Sequence, residues 1–343
     1  MKKLLNTLYV TTEDAYLSLN GETVEVNFPN NVKKNIPLHT LNSIVCFSYK
    51  GASPALMGKC AESQIQLSFY SPRGRFLASV INNENGNVLL RRKQYRVADS
   101  PYESLDIAKN MIYGKLYNSK YVLHRVIRDH PLQVDCVAIE KSCKNISEYM
   151  KDIQSAESPD VLRGIEGNSA SEYFSVFDEM ILQNKKVFHF NGRNRRPATD
   201  NVNALLSFAY SLLANECASA LQGVGLDPYV GFLHTDRPGR KSLALDLEEE
   251  LRSVFADRFV LYLINNRIIN GNDFEKQESG AVLLTDDSRR RFLSEWQKRK
   301  KEIITHPFLE EKIEWGLVPH IQALLLARFL RGDIDGYPPF FWK

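Results

Sequence analysis

Apolar and polar positions alternate along the first part of the chain. Tyr16-Leu-Ser-Leu and Thr23-Val-Glu-Val-Asn-Phe28 flank an Asn20-Gly21 turn signal, which predicts a hairpin of half-buried strands. Ile44-Val-Cys-Phe47, Ile65-Gln-Leu-Ser-Phe-Tyr70 and Phe76-Leu-Ala-Ser-Val-Ile81 repeat the pattern, and Val88-Leu-Leu90 follows an Asn85-Gly86 turn. Ser71-Pro-Arg-Gly74 supplies another turn, and Ala52 to Ala61 has the make-up of a single helix. Short strands with frequent turns predict a small β-sandwich-like domain.

The period changes after Asp99-Ser-Pro101, because a residue before proline avoids the helical region. From Tyr102 to His130 apolar residues recur at helical spacing (Leu105, Ala108, Met111, Ile112, Leu116), and Gln133 to Asp152 reads as a further helix. Ser158-Pro159 offers an N-cap and a first-position proline to a helix with the apolar stripe Leu162, Ala170, Tyr173 and Phe177. Further helices are predicted after Thr199 or Asp200, from near Leu243, from Val254 to Ile269, after Leu284-Thr-Asp-Asp287, and from Pro319 to Leu330. The whole is α+β: a β domain over residues 1–98, then an all-α domain over 99–343. Its apolar tail, Pro338-Pro339-Phe-Phe-Trp342, must dock on this chain or on a partner.

Bulk properties narrow the function classes. With 343 residues, 43% of them hydrophobic and 25% charged, the chain is that of an ordinary folded protein with room for two domains. The net charge of +3 is uneven, with 11 Lys+Arg against 6 Asp+Glu in residues 1–95 and 33 against 35 in the rest. A polyanion would therefore be held by local patches, not by a global field. Five cysteines, odd in number and without a CxxC pair, speak for reduced thiols. The Met1-Lys2-Lys3 start has neither the apolar length nor the cleavage site of a secretion signal. No apolar stretch reads as membrane-spanning, so a cytoplasmic protein is expected.

Three features carry candidate chemistry. Glu166 falls in the middle of its helix's apolar stripe, where a carboxylate is costly unless paired, protonated or bound to a metal. Arg163 or Arg195 could satisfy it, and Gly164 and Gly167 beside it could admit a close neighbour. His234 precedes a basic turn (Arg237 to Lys241) and the acidic run Asp246 to Glu250. On a helix Asp246, Glu249 and Glu250 share an edge; with His234 they could form a divalent-metal or acid/base site. Acids near a helix N-terminus are also ordinarily solvated, as Glu248 on the far side is expected to be. Arg193, Arg195 and Arg196 crowd one loop, and Arg289, Arg290, Arg291, Lys298, Arg299, Lys300 and Lys301 load one helix. Such clusters suit either phosphates or a solvated salt-bridge surface.

Taken in order, LRGIEGNSASEYF, RNRRPATDNVNALLSFAY, GFLHTDRPGRKSLALDLEEELR and LTDDSRRRFLSEWQKRKK resemble the CRISPR-associated protein one family, most like its subtype I-C branch. Ala198 and Asn201 stand where that family usually has prolines. The resemblance implies an endonuclease/integrase of spacer acquisition, joining DNA by 3′-hydroxyl attack on a phosphodiester. It implies Glu166, His234 and Glu249 as ligands of Mn²⁺ or Mg²⁺, with Asp246 beside them. It also implies a homodimer made through the β domain, double-stranded DNA (prespacer and repeat) as substrate, and CRISPR-associated protein two as partner. Arg193, Arg195, Arg196, Arg240, Arg289, Arg290, Lys298 and Arg299 become candidate DNA contacts, and Tyr210 could orient a DNA end. A branched-DNA repair nuclease and a non-catalytic DNA-binding scaffold are the competing readings.

Overall fold

The computed structural model describes residues 6–41, 43–63, 65–71, 76–80, 88–195 and 197–342. The Asn85-Gly86 turn, most of the 71–74 turn, the end of the strand at Ile81 and Arg196 lie outside the described residues. In chain order the first elements are β1 (Thr7–Val10), β2 (Tyr16–Asn20), β3 (Thr23–Asn27), β4 (Lys33–Pro37), β5 (Ser43–Cys46), α1 (Pro54–Glu62), β6 (Gln66–Tyr70) and β7 (Phe76–Val80). Helices then dominate: α2 (Val88–Asp99), α3 (Pro101–Asp129), α4 (Cys136–Ser155), α5 (Pro159–Ser175), α6 (Asn201–Gly223), α7 (Ser242–Glu249), α8 (Arg258–Asn265), α9 (Asp286–Lys300) and α10 (Val318–Arg331). Two short strand pairs interrupt them, β8 (Phe274–Lys276) with β9 (Val282–Leu284) and β10 (Ile303–Thr305) with β11 (Lys312–Glu314). The α+β class read from the sequence is the one the chain adopts.

The chain forms two compact units. The β-rich unit comprises Met1–Gly86, Leu284–Glu302 and Glu314–Leu317. Its predicted hairpin is β2–β3, paired Asn20 to Thr23 around Gly21 at φ 57°, with β4 completing an antiparallel sheet. The second sheet runs β1-β5-β6-β7 and is mixed: β1–β5 and β5–β6 are parallel. Parallel neighbours need crossovers, so this unit is not a sandwich of simple hairpins. Leu17, Val24 and Val26 from one sheet, Ile44, Cys46 and Leu67 from the other, and Leu56 and Cys60 of α1 meet in one core.

The sequence placed the division after residue 98 and the basic helix α9 in the helical part. By compactness the break follows Gly86, and α9 packs with the β-rich unit. The cause is its buried side, Phe292, Leu293 and Trp296, together with Arg289 over the Phe47 ring at 5.4 Å and Arg290 Nε donating to Thr11 Oγ1 at 3.2 Å.

The helical unit holds Asn87–Leu283, Ile303–Ile313 and Val318–Lys343. Its first helix corrects the expectation of a strand at Val88–Leu90. Leu90, Gln94 and Val97 are buried at helical spacing, and Gln94 Nε2 donates to the carbonyls of Asp227 and Val230 at 2.8 and 2.9 Å. α3 begins at the expected place, with Ser100 Oγ accepting from Glu103 N and Pro101 at its first turn. α6 corrects another expectation: by length and composition it is apolar enough to cross a membrane. Its most apolar window is 67% buried within the protein, so it serves as a core helix.

The helix expected from Val254 to Ile269 is broken. Between α7 and α8 the backbone makes a π-helical segment, Arg252–Asp257. A π turn stacks residues five apart, which an α-helix would splay, so Arg252 and Asp257 can share one face.

Candidate active site

Asp246 organises one side of the site. It is fully buried on α7 and accepts hydrogen bonds from the backbone N–H groups of Phe232, Leu233 and His234 at 2.7, 3.0 and 3.0 Å. Its Oδ1 also lies 2.6 Å from His234 Nδ1. One carboxylate thus folds the 231–234 loop and fixes the imidazole, leaving Nε2 as the free ring nitrogen. Gly231 makes this possible, because a Cβ there would stand 2.8 Å from Asp246 Oδ2 and 2.9 Å from Ser242 Cβ. Burial works against a charged imidazole, but the hydrogen bond and charge of Asp246, with the charge of Glu249, outweigh it and raise the pKa of His234.

Lys115 on α3 organises the other side. Its ammonium pairs with Glu166 Oε1 of α5 and lies 2.7 Å from Glu249 Oε2 of α7. Glu249 Oε2 is itself buried, so this ammonium is the cation it faces. Arg252 Nη1 binds the other oxygen of Glu249 at 2.8 Å, and Arg252 Nε donates to Glu248 Oε1 at 3.2 Å. Burial alone would raise the Glu249 carboxyl, but the charges of Arg252, Lys115 and His234 bring it down to about 2. Glu248 is less well served: burial outweighs Arg252 and pushes it up to about 7.

The acidic run therefore departs from the solvated helix edge that the sequence allowed. Asp246, Glu248, Glu249 and Glu250 are all essentially buried, Glu248 included. The run lies at the end of an eight-residue helix, so the favourable N-terminal dipole does not apply to it. Glu250 leaves the shared edge altogether and meets the C-terminal tail. Gly164 and Gly167 admit nothing; a Cβ at either would meet open space. Glu166 is satisfied by Lys115, while Arg163 binds Asp160 and the Leu233 carbonyl.

A cleft of about 510 Å³, its open mouth included, runs past Lys115 and Glu166 to Arg195, Tyr210, Arg252 and Asp257. Asp257 accepts from both Tyr173 and Tyr210 hydroxyls, and burial lifts its carboxyl to about 6 against those bonds and the charges of Arg252 and Arg193. Two guanidinium groups lie over the Tyr210 ring, Arg193 at 5.0 Å and Arg252 at 4.8 Å from its centroid. Arg193 is turned inward by Asn203 and Ser207, whereas Arg195 is exposed at the cleft. Arg240 holds its own turn through Thr235 and Ser242. In the β-rich unit Arg289 is buried against Asp286, and Arg290, Lys298 and Arg299 pair with Asp287, Glu295 and Glu302.

Glu166 and Glu249 are thus brought together through Lys115, and His234 is held by Asp246. Among the described residues no three His, Cys, Asp or Glu side chains are gathered closely enough to hold a metal as they stand. Lys115, Arg252 and Asp257 escaped the reading of the sequence. Lys115 had a signal, since it falls between Ile112 and Leu116 within α3's apolar stripe, the argument that singled out Glu166. Arg252 and Asp257 had none, because a regular helix would not place them together.

Such an α+β chain, with carboxylates, an ammonium and guanidinium groups lining a cleft in its helical unit, has the make-up of a phosphodiester-processing protein. The family model described as "CRISPR associated protein Cas1" matches residues 8–298, and this chain belongs to that family. It is 48% identical over 343 residues to "CRISPR-associated endonuclease Cas1 1" of Chlorobaculum tepidum, covering 100% of both chains. It is 49% identical over 347 residues to "CRISPR-associated endonuclease Cas1 2" of Rhodospirillum rubrum, again covering 100% of both. Its fold matches that of TM1797, a CAS1 protein from Thermotoga maritima, with a TM-score of 0.82 at 23% identity over 95% of this chain and 97% of the other.

Proposed function

We propose that this protein is a metal-dependent DNA endonuclease/integrase of CRISPR spacer acquisition, with its active site at Glu166, His234 and Glu249. The observation that carries the reading is the convergence of two carboxylates from separate helices on a single cation, Lys115 Nζ, beside a carboxylate-held imidazole. Carboxylates and one imidazole form a donor set suited to Mn²⁺ or Mg²⁺. The buried Glu249 Oε2 already faces a positive charge, Lys115 Nζ at 2.7 Å, so the position suits a cation, and Lys115 must yield it. When bound, the metal lowers the pKa of the attacking hydroxyl and neutralises charge on the phosphate.

The chain's own residues do the rest. Asp246 keeps His234 in the tautomer that presents Nε2 outward. Arg252 holds Glu249 ionised and at a fixed angle. Arg195, exposed at the cleft, and Arg240 of the basic turn are the contacts to DNA phosphates in this reading, and Tyr210, which lines the cleft, orients a strand end. A DNA 3′-hydroxyl attacking a repeat phosphate releases another 3′-hydroxyl; with water as nucleophile the same site nicks. The protein works in the cytoplasm as a homodimer made through its β-rich unit, with CRISPR-associated protein two, and belongs to the subtype I-C branch.

Glu166→Ala and His234→Ala are expected to lower Mn²⁺-dependent strand transfer into an array-bearing plasmid by about a thousandfold or more, with DNA binding retained. Strand transfer by both variants at the wild-type rate refutes the assignment. DNA affinity should also fall steeply with salt, because phosphate contacts release counterions; a flat salt dependence refutes the phosphate contacts.

A further inference from the structure

The apolar tail docks within the helical unit. Phe340 is fully buried and Tyr337 nearly so. Phe341 packs against Tyr113 and Tyr117 of α3, with ring centroids 5.9 and 4.8 Å away, and Trp342 lies under Arg258 at 3.9 Å. Apolar packing explains that the tail binds; it does not explain what the tail binds to.

Its polar contacts converge on one residue. The Glu250 carboxylate accepts from Tyr337 Oη at 2.6 Å, from the Phe340 backbone N–H at 2.8 Å and from Gln322 Nε2 at 2.9 Å. Gln322 in turn donates to the Pro338 carbonyl at 3.1 Å. Asn118 of α3 completes the clamp: its Nδ2 donates to the backbone carbonyls of Glu250 and Phe340, both at 2.7 Å, and its Oδ1 accepts from Trp342 N at 2.9 Å. Gly114, one helical turn earlier, leaves room for this approach, since a Cβ there would stand 3.0 Å from Pro339 Cβ and 3.4 Å from Glu250 Cγ.

Glu250 sits where position matters. It follows Glu249 directly, at the junction where α7 ends and the register changes into the π segment. A register change is a weak point in a helical ladder, and here both the side chain and the carbonyl of the junction residue are tied down from outside. We propose that the docked C-terminal tail is part of the catalytic scaffold: by clamping Glu250 it positions the neighbouring carboxylate of Glu249. The inference rests on the reading of Glu249 as a metal ligand given above. Tyr337, Asn118 and the tail backbone act through Glu250 and are positioning elements.

The test uses the full chain with its partner protein and Mn²⁺ as the probe. Phe341→Ala/Trp342→Ala strips the outer anchors, Tyr337→Phe removes one bond to Glu250, and Ile139→Val in the core of α4 serves as a control for general loosening. Hydrogen exchange at residues 337–342 reports release of the tail. With the tail released, Mn²⁺ Kd by calorimetry should rise about tenfold and kcat for strand transfer fall by a similar factor. KM for DNA should stay within about twofold, Tyr337→Phe should fall between wild type and the double variant, and Ile139→Val should change neither constant. A released tail with unchanged Mn²⁺ Kd and kcat overturns the proposal, whatever happens to Tm. Glu249→Ala separates this from the underlying reading: Mn²⁺ binding that survives it refutes the metal site itself, and not the tail's role alone.

Discussion

The charges of α9 and those around Lys115 contrast sharply. On α9 the partners are near neighbours in sequence, Asp286 with Arg289, Asp287 with Arg290 and Glu295 with Lys298, each three residues apart. Most are exposed, and water or a polyanion can replace the partner at little cost. Around Lys115 the charges come from α3, α5, α7 and the π segment; Lys115 and Glu249 are buried, and Glu166 and Arg252 are partly so. Losing one partner there strands another charge away from water. A high density of charge in sequence therefore says little about where charge is energetically committed. The acidic run at 246–250, which resembles a solvated edge, is the committed one.

The contrast can be broken at several points. The largest effect is expected at Lys115→Met. With chelator present it should lose about 3–5 kcal/mol of stability in urea unfolding, because Glu166 and Glu249 are left facing each other. Mn²⁺ should restore more stability to this variant than it adds to wild type, and calorimetry should show tighter binding. Metal-free stability equal to wild type would mean that the ammonium is not the counter-charge of the site.

A smaller effect concerns Asp257, faced by Tyr173 and Tyr210 with Arg252 and Arg193 nearby. Its folded pKa, about 6, is raised above the ordinary 3.8, so the folded state binds the proton more tightly. That contribution is complete below about pH 4 and is lost as pH rises through 6. Asp257→Asn should flatten this stretch of the stability curve and be more stable than wild type by up to about 3 kcal/mol at pH 8. Parallel curves for the two proteins from pH 4 to 8 would contradict it.

The smallest effect belongs to α9. Lys298→Ala should change stability by less than about 0.5 kcal/mol, and a thermal melt that shifts by more would show α9 to be less unlike the site than its exposure implies.

Hairpin β2–β3, helices α1, α3 and α5, and the caps at Ser158 and Asp200 were legible because each follows from spacing within a few residues. The same logic failed at Val88–Leu90, where three apolar residues fit either period and burial on a helical face decided. Glu166 was legible as an anomaly, an acid on an apolar stripe. Its partner was not, although Lys115 is the same anomaly on α3.

What the amino-acid sequence by itself determined is the local chemistry: the periods, the caps, the turn at Gly21, and the identity of the acids and the imidazole. Only the tertiary structure decided which acid meets which cation. It turned Asp246 onto His234, gave Glu249 to Lys115 and Arg252, and sent Glu250 to the tail. The reason is physical. Consecutive helical residues point about 100° apart, so each of these acids faces a different neighbour, and the partners on α3 lie more than a hundred residues away in sequence, Asn118 from Glu250 and Lys115 from Glu249.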